Sequence, residues 1–358
     1  MTDGPAGVVA EGAVRLRVPL RRPLLSARGT VAAHEAWILR LRAPDGRTGV
    51  GETTLGPGAT DAARDALTAA VRALVAGTRP LPDATADADP VERALRAATD
   101  GALLDLGLLP DLAVRRPAIV LNALCEGPDR ESVLAAAEAA VAAGYRALKL
   151  KADADPAALL AAVRERVGGG IALRLDVNGT WPAAEAPGRL AELAPFRPAY
   201  VEQPVAPGDP AADAALRAGS PVPIALDESV RSLADARALL AAGAADHLVV
   251  KLSRVGGPQV ALAIAREAAA AGVGVTIASL LETGIGLAAA GVVAAALPGD
   301  GSEAHGLATA ELLVDDLVTG LPVISDGRTD VLPGPGLRLA PDREAIRALA
   351  HEVVGRWR

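Results

Sequence analysis

Apolar and polar positions change their rhythm along the chain. Residues 13–20 (AVRLRVPL) alternate apolar and basic side chains, the period of a half-buried strand. Residues 36–42 (AWILRLR) and 48–54 (TGVGETT) continue that character around the turn Pro44-Asp45-Gly46. Two helical stretches follow, 60–77 and 90–108, the second opened by Asp89 as N-cap and Pro90 at the first helical position. Three strands and then helices predict an α+β module.

Near residue 117 the rhythm changes. Short apolar runs at 118–122, 146–150, 171–175, 199–202, 222–226, 247–250 and 273–277 each precede a helical stretch, and 303–307 offers an eighth. Such alternation predicts a parallel sheet with crossover helices, and this number of repeats suits a (β/α)8-type barrel. Residues 326–358 read as turns, one short strand and a final amphipathic helix that returns to the N-terminal module. The expected organisation is therefore 1–112, 113–325 and 326–358.

Composition narrows the class. The 358 residues carry 36 Lys+Arg against 43 Asp+Glu, a net charge of -7, with no basic stripe of the kind nucleic acid requires. One cysteine, Cys125, rules out an intramolecular disulfide framework, and it is expected to fill core space. The four histidines form no metal-binding pair. His34 is expected at the surface, and His351 on the solvated face of the last helix. The most apolar stretch, 277–297, holds Glu282 and three glycines and ends before Pro298, which argues against a membrane span. No signal-peptide pattern opens the chain, so a cytoplasmic protein is expected. Ala-rich runs at 135–143 and 240–245 keep a helical period and are read as helices.

A polar residue closes almost every apolar run. Lys149 and Lys151 close the second, Asp176 and Asn178 the third, Glu202 the fourth, Asp227 and Glu228 the fifth, Lys251 the sixth and Ser279 the seventh. Steps from Lys151 through Asp176, Glu202, Asp227 and Lys251 to Ser279 are 24–28 residues, one strand-helix unit each. In a barrel the carboxyl ends of all strands meet at one face, so these residues should converge. Three carboxylates brought together repel unless a cation lies among them. An oxygen-only donor set points to Mg²⁺, with Mn²⁺ as the alternative, rather than zinc. Lysines beside such a set suit proton abstraction next to a substrate carboxylate, because neighbouring cations and burial lower a lysine's pKa from its usual ~10.4. Each motif alone also has a structural reading: LKLK as a half-exposed strand, DxN and Asp-Glu-Ser as turn or cap signals, Lys251 as a snorkelling side chain. Their common order and spacing favours the functional one.

KxK, DxN, EQP and DES followed by a lysine on the sixth run resemble the enolase superfamily, and within it the muconate-cycloisomerase-like subgroup. The resemblance spans nearly the whole chain. It implies an α/β fold: a modified TIM barrel, (β/α)7β, under an α+β capping domain built from both termini. It also implies that Asp176, Glu202 and Asp227 hold Mg²⁺, that Lys151 is the acid/base and that Lys251 faces it across the substrate. Lys149, Asn178 and Glu228 would hold the lysine and the ligands in place.

Residues 277–288 (IASLLETGIGLA), 305–316 (HGLATAELLVDD) and 120–124 (VLNAL) are similar to the o-succinylbenzoate synthases of menaquinone or phylloquinone synthesis. That family dehydrates 2-succinyl-6-hydroxy-2,4-cyclohexadiene-1-carboxylate. The implied substrate contacts are Ser26 and Arg28 in the loop that covers the substrate, with Ser279, Glu282 and His305. Glu52 is a further candidate for the cavity lining. Two positions depart from the family pattern: Ala278 replaces a serine, and Ala308 replaces the glycine of HGLGT. The partner is expected to be a small carboxylate, with neither nucleic acid nor membrane. N-succinylamino acid racemase and muconate cycloisomerase share the catalytic residues and are the alternatives. A barrel that only binds would need a missing lysine or carboxylate, and none is missing.

Overall fold

The computed structural model describes residues 6–26, 29–56, 58–82, 89–109, 111–332 and 336–357. Strands β1 (Val9–Ser26), β2 (Gly29–Arg42) and β3 (Thr48–Thr53) form an antiparallel meander. The run at 13–20 is the middle of a much longer strand. In it Val14, Leu16 and Val18 are buried while Arg17 faces solvent. This sheet buries both faces. Trp37, Leu39 and Leu41 pack on helices α1 (Asp61–Val75) and α2 (Pro90–Asp105), while Ala36 and Ile38 join the barrel core. Two-sided burial explains why 36–39 reads as an apolar run rather than an alternation. Thr60 and Asp89 cap the two helices with their side chains, and α2 lies directly on β3. A Cβ at Gly51 would stand 2.0 Å from the Ala98 carbonyl oxygen, so only glycine admits the helix there.

The barrel opens with β4 (Ala118–Leu121) and β5 (Ala123–Cys125), broken at Asn122. Then follow α3 (Arg130–Ala142), β6 (Ala147–Lys151), α4 (Pro156–Val167), β7 (Ala172–Asp176), α5 (Ala186–Leu193), β8 (Tyr200–Glu202) and α6 (Pro210–Ala218). The second half runs β9 (Ile224–Leu226), α7 (Leu233–Ala242), β10 (His247–Val250), α8 (Leu252–Val255), α9 (Pro258–Ala270), β11 (Gly274–Ile277), α10 (Gly284–Ala296) and β12 (Ala304–His305). Strands β5 to β11 pair in parallel in chain order. Strand β12 closes the ring: it pairs in parallel with β4, while the Gly306 and Ser279 amides bond across to Ile277 and Gly306. The expected runs thus become the staves of the barrel. The stretch 277–297 divides between the end of β11, a loop and α10, and among the described residues no helix is long and apolar enough to cross a membrane. The run 240–245 is helical only to Ala242, because Gly243 turns left-handed and ends α7.

The C-terminal stretch differs from expectation. After β13 (Val318–Thr319), β14 (Ile324–Ser325), β15 (Arg328–Asp330) and β16 (Ala340–Pro341), helix α11 (Arg343–Leu349) has only seven residues. The chain ends instead on strand β17 (Ala350–Gly355), antiparallel to β1 with Val353 opposite Val14. His351 therefore lies on a strand. The cause is local: AHEVVG alternates in exposure and carries two adjacent valines, which suit a pleated edge better than a helix.

Candidate active site

Lateral register builds the floor of the site. Lys151 is opposite Asp176, and Asp176 is opposite Glu202, so residues some 25 positions apart become neighbours on one barrel rim. Lys149 and Lys151 are two apart on β6 and share a face, while Leu148 and Leu150 are buried on the other. Lys149 Nζ lies 2.9 Å from Asp176 Oδ2 and 2.7 Å from Glu202 Oε1. Asp227 directly follows β9, and its carboxylate accepts from Lys251 Nζ at 2.7 Å and from Arg254 Nη1. Arg254 also donates to the Asp227 carbonyl at 2.9 Å. The Asn178 amide bonds Asp176 Oδ1 at 3.0 Å, and its side chain donates to Glu228 Oε1 at 3.1 Å. DxN is thus a turn and a bridge between strand ends at once.

Burial and charge set the ionisation of this floor. Burial raises Glu202, and the charges of Asp176 and Asp227 add to that, so its carboxyl titrates well above the usual range despite Lys149. Burial works against the Lys149 ammonium, yet Asp176, Glu202 and Asp227 together hold it protonated well above a free lysine. Burial would raise Asp227 as well, but Arg254, Lys251 and Lys149 outweigh it and keep that carboxylate ionised to very low pH. Glu228 is raised by burial and then by Asp227, and its Oε2 is buried without a hydrogen-bond partner.

Among the described residues, no three metal-ligating side chains stand grouped as a metal cluster. Asp176 and Glu202 are drawn to Lys149, and Asp227 to Lys251 and Arg254. The donor set still fits a hard divalent cation. It is all oxygen, it lies on adjacent strand ends, and Glu228 Oε2 beside it is buried without a hydrogen-bond partner.

Above the floor lies a cavity of about 310 Å³. Lys151 and Lys251 line it from β6 and from the end of β10, with Asp176, Asn178 and Glu228 between them. Glu202 and Asp227 lie beneath, fully buried. Leu24 and Val31 from the capping sheet, and Ser279 with Leu281 from the loop after β11, close it above.

Not every expected contact reaches this cavity. Ser279 lines it. Glu282 does not: it is buried in the wall, where it accepts from Ser253 Oγ and Ser279 Oγ at 3.0 Å each and from the Leu280 amide. His305 is turned into the barrel core. Its Nδ1 accepts the Ile277 amide at 3.2 Å, and burial, with the nearby Arg174 charge, pushes the imidazole down to about 3. As a two-residue strand that closes the barrel, its segment aims this ring inward while Gly306 and Ala308 face the cavity. Glu52 is also outside the lining and is buried between the capping sheet and α10. His34, expected outside, is buried 3.3 Å from Glu52. Cys125 is core, with its thiol pushed up to about 12 by burial. Ser26 ends β1, and Arg28 lies outside the described residues.

Three residues of the site were not anticipated. Arg254 stands three positions after Lys251 on the single turn α8, so it returns to the same face; that spacing was the available signal. Gln203, at φ 41, takes the Asp227 and Ser229 amides on Oε1 at 3.0 and 3.1 Å and stitches β8 to β9. Glu126 lines the cavity just beyond β5. Burial raises its carboxyl, and the charges of Lys151 and Arg22 partly offset this.

A family model described as Enolase C-terminal domain-like matches residues 132–345. The chain is 38% identical over 192 residues to o-succinylbenzoate synthase of Thermobifida fusca, covering 53% of this chain and 59% of the relative. It is 35% identical over 211 residues to N-succinylamino acid racemase of Amycolatopsis, covering 57% and 55%. It is 31% identical over 212 residues to muconate cycloisomerase 1 of Pseudomonas putida, covering 58% and 56%. The matched stretch spans little more than half the length of these curated relatives. Among solved structures, muconate lactonizing enzyme from Pseudomonas fluorescens complexed with muconolactone superposes with a TM-score of 0.83 at 25% identity, over 96% of this chain and 99% of that one. The L-Ala-D/L-Glu epimerase from Bacillus subtilis gives 0.81 at 27% identity, over 94% and 99%.

Proposed function

The chain belongs to the enolase superfamily, a membership that supports a lyase or isomerase, and from it we propose that this is an o-succinylbenzoate synthase of menaquinone biosynthesis. It would dehydrate 2-succinyl-6-hydroxy-2,4-cyclohexadiene-1-carboxylate to 2-succinylbenzoate. The observation that carries the reading is the pair of lysines, Lys151 and Lys251, lining one cavity from strands on opposite sides of a carboxylate floor. Similarity to curated o-succinylbenzoate synthases supports this choice of substrate.

Lys151 Nζ takes the proton α to the substrate carboxylate and later returns it to the departing hydroxide, so that water leaves and the ring becomes aromatic. Lys251 faces the planar anion from the other side; its ammonium is oriented by Asp227, which is itself held by Arg254. Asp176, Glu202 and Asp227 would hold Mg²⁺, which when bound supplies positive charge for the enediolate. Lys149 keeps Asp176 and Glu202 turned toward one another, and Asn178 ties Asp176 to Glu228. Elimination to an aromatic product is strongly downhill, so positioning supplies most of what is needed.

The opposed lysines also suit a two-base proton exchange at an α-carbon. With the Amycolatopsis relative, this supports N-succinylamino acid racemisation as a second reading. The test follows aromatisation by ultraviolet absorbance with Mg²⁺ and substrate generated in situ, beside an N-succinylamino acid racemisation assay. Fast aromatisation that disappears in EDTA supports the synthase. Racemisation without aromatisation replaces it with the second reading.

A further inference from the structure

The loop that carries Ser279 and Leu281 into the cavity leads straight into helix α10, whose first turn is not capped by its own side chains. Thr283 occupies the N-cap position without a side-chain cap bond. The first amides of a helix lack partners within the helix and need acceptors from elsewhere. Here Glu52, at the end of the capping strand β3, supplies them. Its carboxylate accepts from the Thr283 amide at 2.9 Å, the Thr283 hydroxyl at 2.6 Å and the Gly286 amide at 2.9 Å. Asp316 takes the Gly284 amide at 2.9 Å. The sequence leaves room for this approach: a Cβ at Gly286 would stand 3.1 Å from Glu52 Oε2 and 2.5 Å from Glu282 Cβ.

The residues just before this cap line the cavity. Leu281 is held at φ 73, a left-handed conformation that a leucine adopts only when its surroundings impose it. On one side, Glu282 pins Ser279 and Leu280 and reaches Ser253, two residues beyond Lys251. On the other side, the chain is fixed by Glu52. The backbone that carries this carboxylate is held on both sides. Its strand pairs with β2, with Glu52 opposite Ile38, and is clamped by α2 through Gly51.

We infer that Glu52 is a positioning residue, which acts through Thr283 to hold the Ser279–Leu281 wall against the substrate and so joins the seating of the capping domain to the shape of the pocket. The inference rests on the reading of this cavity as the substrate site. It assigns Glu52 to binding rather than to proton transfer.

The test measures kcat, KM and amide hydrogen exchange on the full chain for wild type, Glu52→Gln, Glu52→Ala and Leu67→Ala. Leu67 is buried between α1 and the capping sheet, so Leu67→Ala weakens the same domain without touching the Glu52–Thr283 contact. Expected for Glu52→Ala is a rise in KM of about 10-fold with kcat within about 3-fold, and exchange of the 279–286 amides faster by about 10-fold or more. Glu52→Gln keeps the shape and one acceptor, so it should fall between wild type and Glu52→Ala. Leu67→Ala should lower the melting temperature without moving KM or the 279–286 exchange. Unchanged exchange at 279–286 in Glu52→Ala overturns the inference, as does an equal rise in KM in Leu67→Ala. Should wild type fail to aromatise the cyclohexadiene substrate, the proposed function falls, and the exchange measurement still decides the role of Glu52.

Discussion

The floor and the roof of this site are built by different rules. The floor consists of side chains at successive strand ends, Lys149 to Lys251, spaced by one strand-helix unit and brought side by side by parallel register. The roof is assembled from residues with no common period: Leu24 and Val31 from the capping sheet, Leu281 from a strained loop, and a Glu52–Thr283 contact spanning 231 positions. On the proposed reading the floor carries the charge and the chemistry, and the roof shapes access to it. Changes in the floor should therefore act on kcat, metal affinity or folding, and changes in the roof on KM.

The largest effect is expected at Lys151. Lys151→Ala should lower kcat by about 10³–10⁴-fold, near the upper end of what a general acid/base supplies, while 2-succinylbenzoate still binds with similar affinity by calorimetry. A variant that kept kcat within tenfold would remove Lys151 from the chemistry and blur the distinction between the two regions. Asp227→Asn comes next. It strips the fully buried partner of Lys251 and Arg254 of its charge, which should cost about 3–5 kcal/mol of stability in urea unfolding and weaken Mg²⁺ binding together. Lost metal affinity at unchanged stability would show that the two cations find other partners.

A smaller effect lies where floor and capping domain meet. Asp100 on α2 is buried against Gly257, beyond the α8 turn, and burial pushes its carboxyl up to about 6 from 3.8. The folded state thus holds this proton more tightly than the unfolded chain does. The resulting stability is full below pH 3.8 and is lost as pH rises through 6. Asp100→Asn should remove that slope and stabilise the protein at pH 7 by up to about 3 kcal/mol, read from unfolding curves across pH. A variant with the wild-type slope would place the titration elsewhere. The smallest change is expected at the rim. Ala308→Gly, which restores the family pattern, should alter KM by about 3-fold or less and leave kcat unchanged. A large change in kcat there would show that the rim takes part in the chemistry.

Much of the floor was legible because period and residue type are local properties. LKLK on β6 had to present both lysines to one face, and the carboxylates at 176, 202 and 227 had to be one stave apart. Partner choice was not legible. Arg254 pairs with Asp227 only because α8 turns once after Lys251, and Gln203 bridges two strand ends only in its left-handed conformation. His305 and Glu282 carry motif identities that suggested substrate contact, yet one faces the barrel core and the other holds the wall. Which side of a two-residue strand or a six-residue loop meets the cavity depends on its neighbours. The end of the chain misled for a related reason: seven helical residues were followed by a strand whose pairing with β1 no local rhythm announces.

The order of residues along the chain already carries the alternation of strands and helices, the capping module before it, and the order and chemistry of the groups on the barrel rim. These follow from repeat length and side-chain direction, which each short segment carries within itself. Only packing makes Lys149 bridge Asp176 and Glu202, lets Lys251 and Arg254 share Asp227, and brings a carboxylate from the capping sheet to cap a barrel helix. Such pairings are settled by which charges and unpaired amides become buried within reach of one another, and burial exists only once the two parts of the chain have packed together.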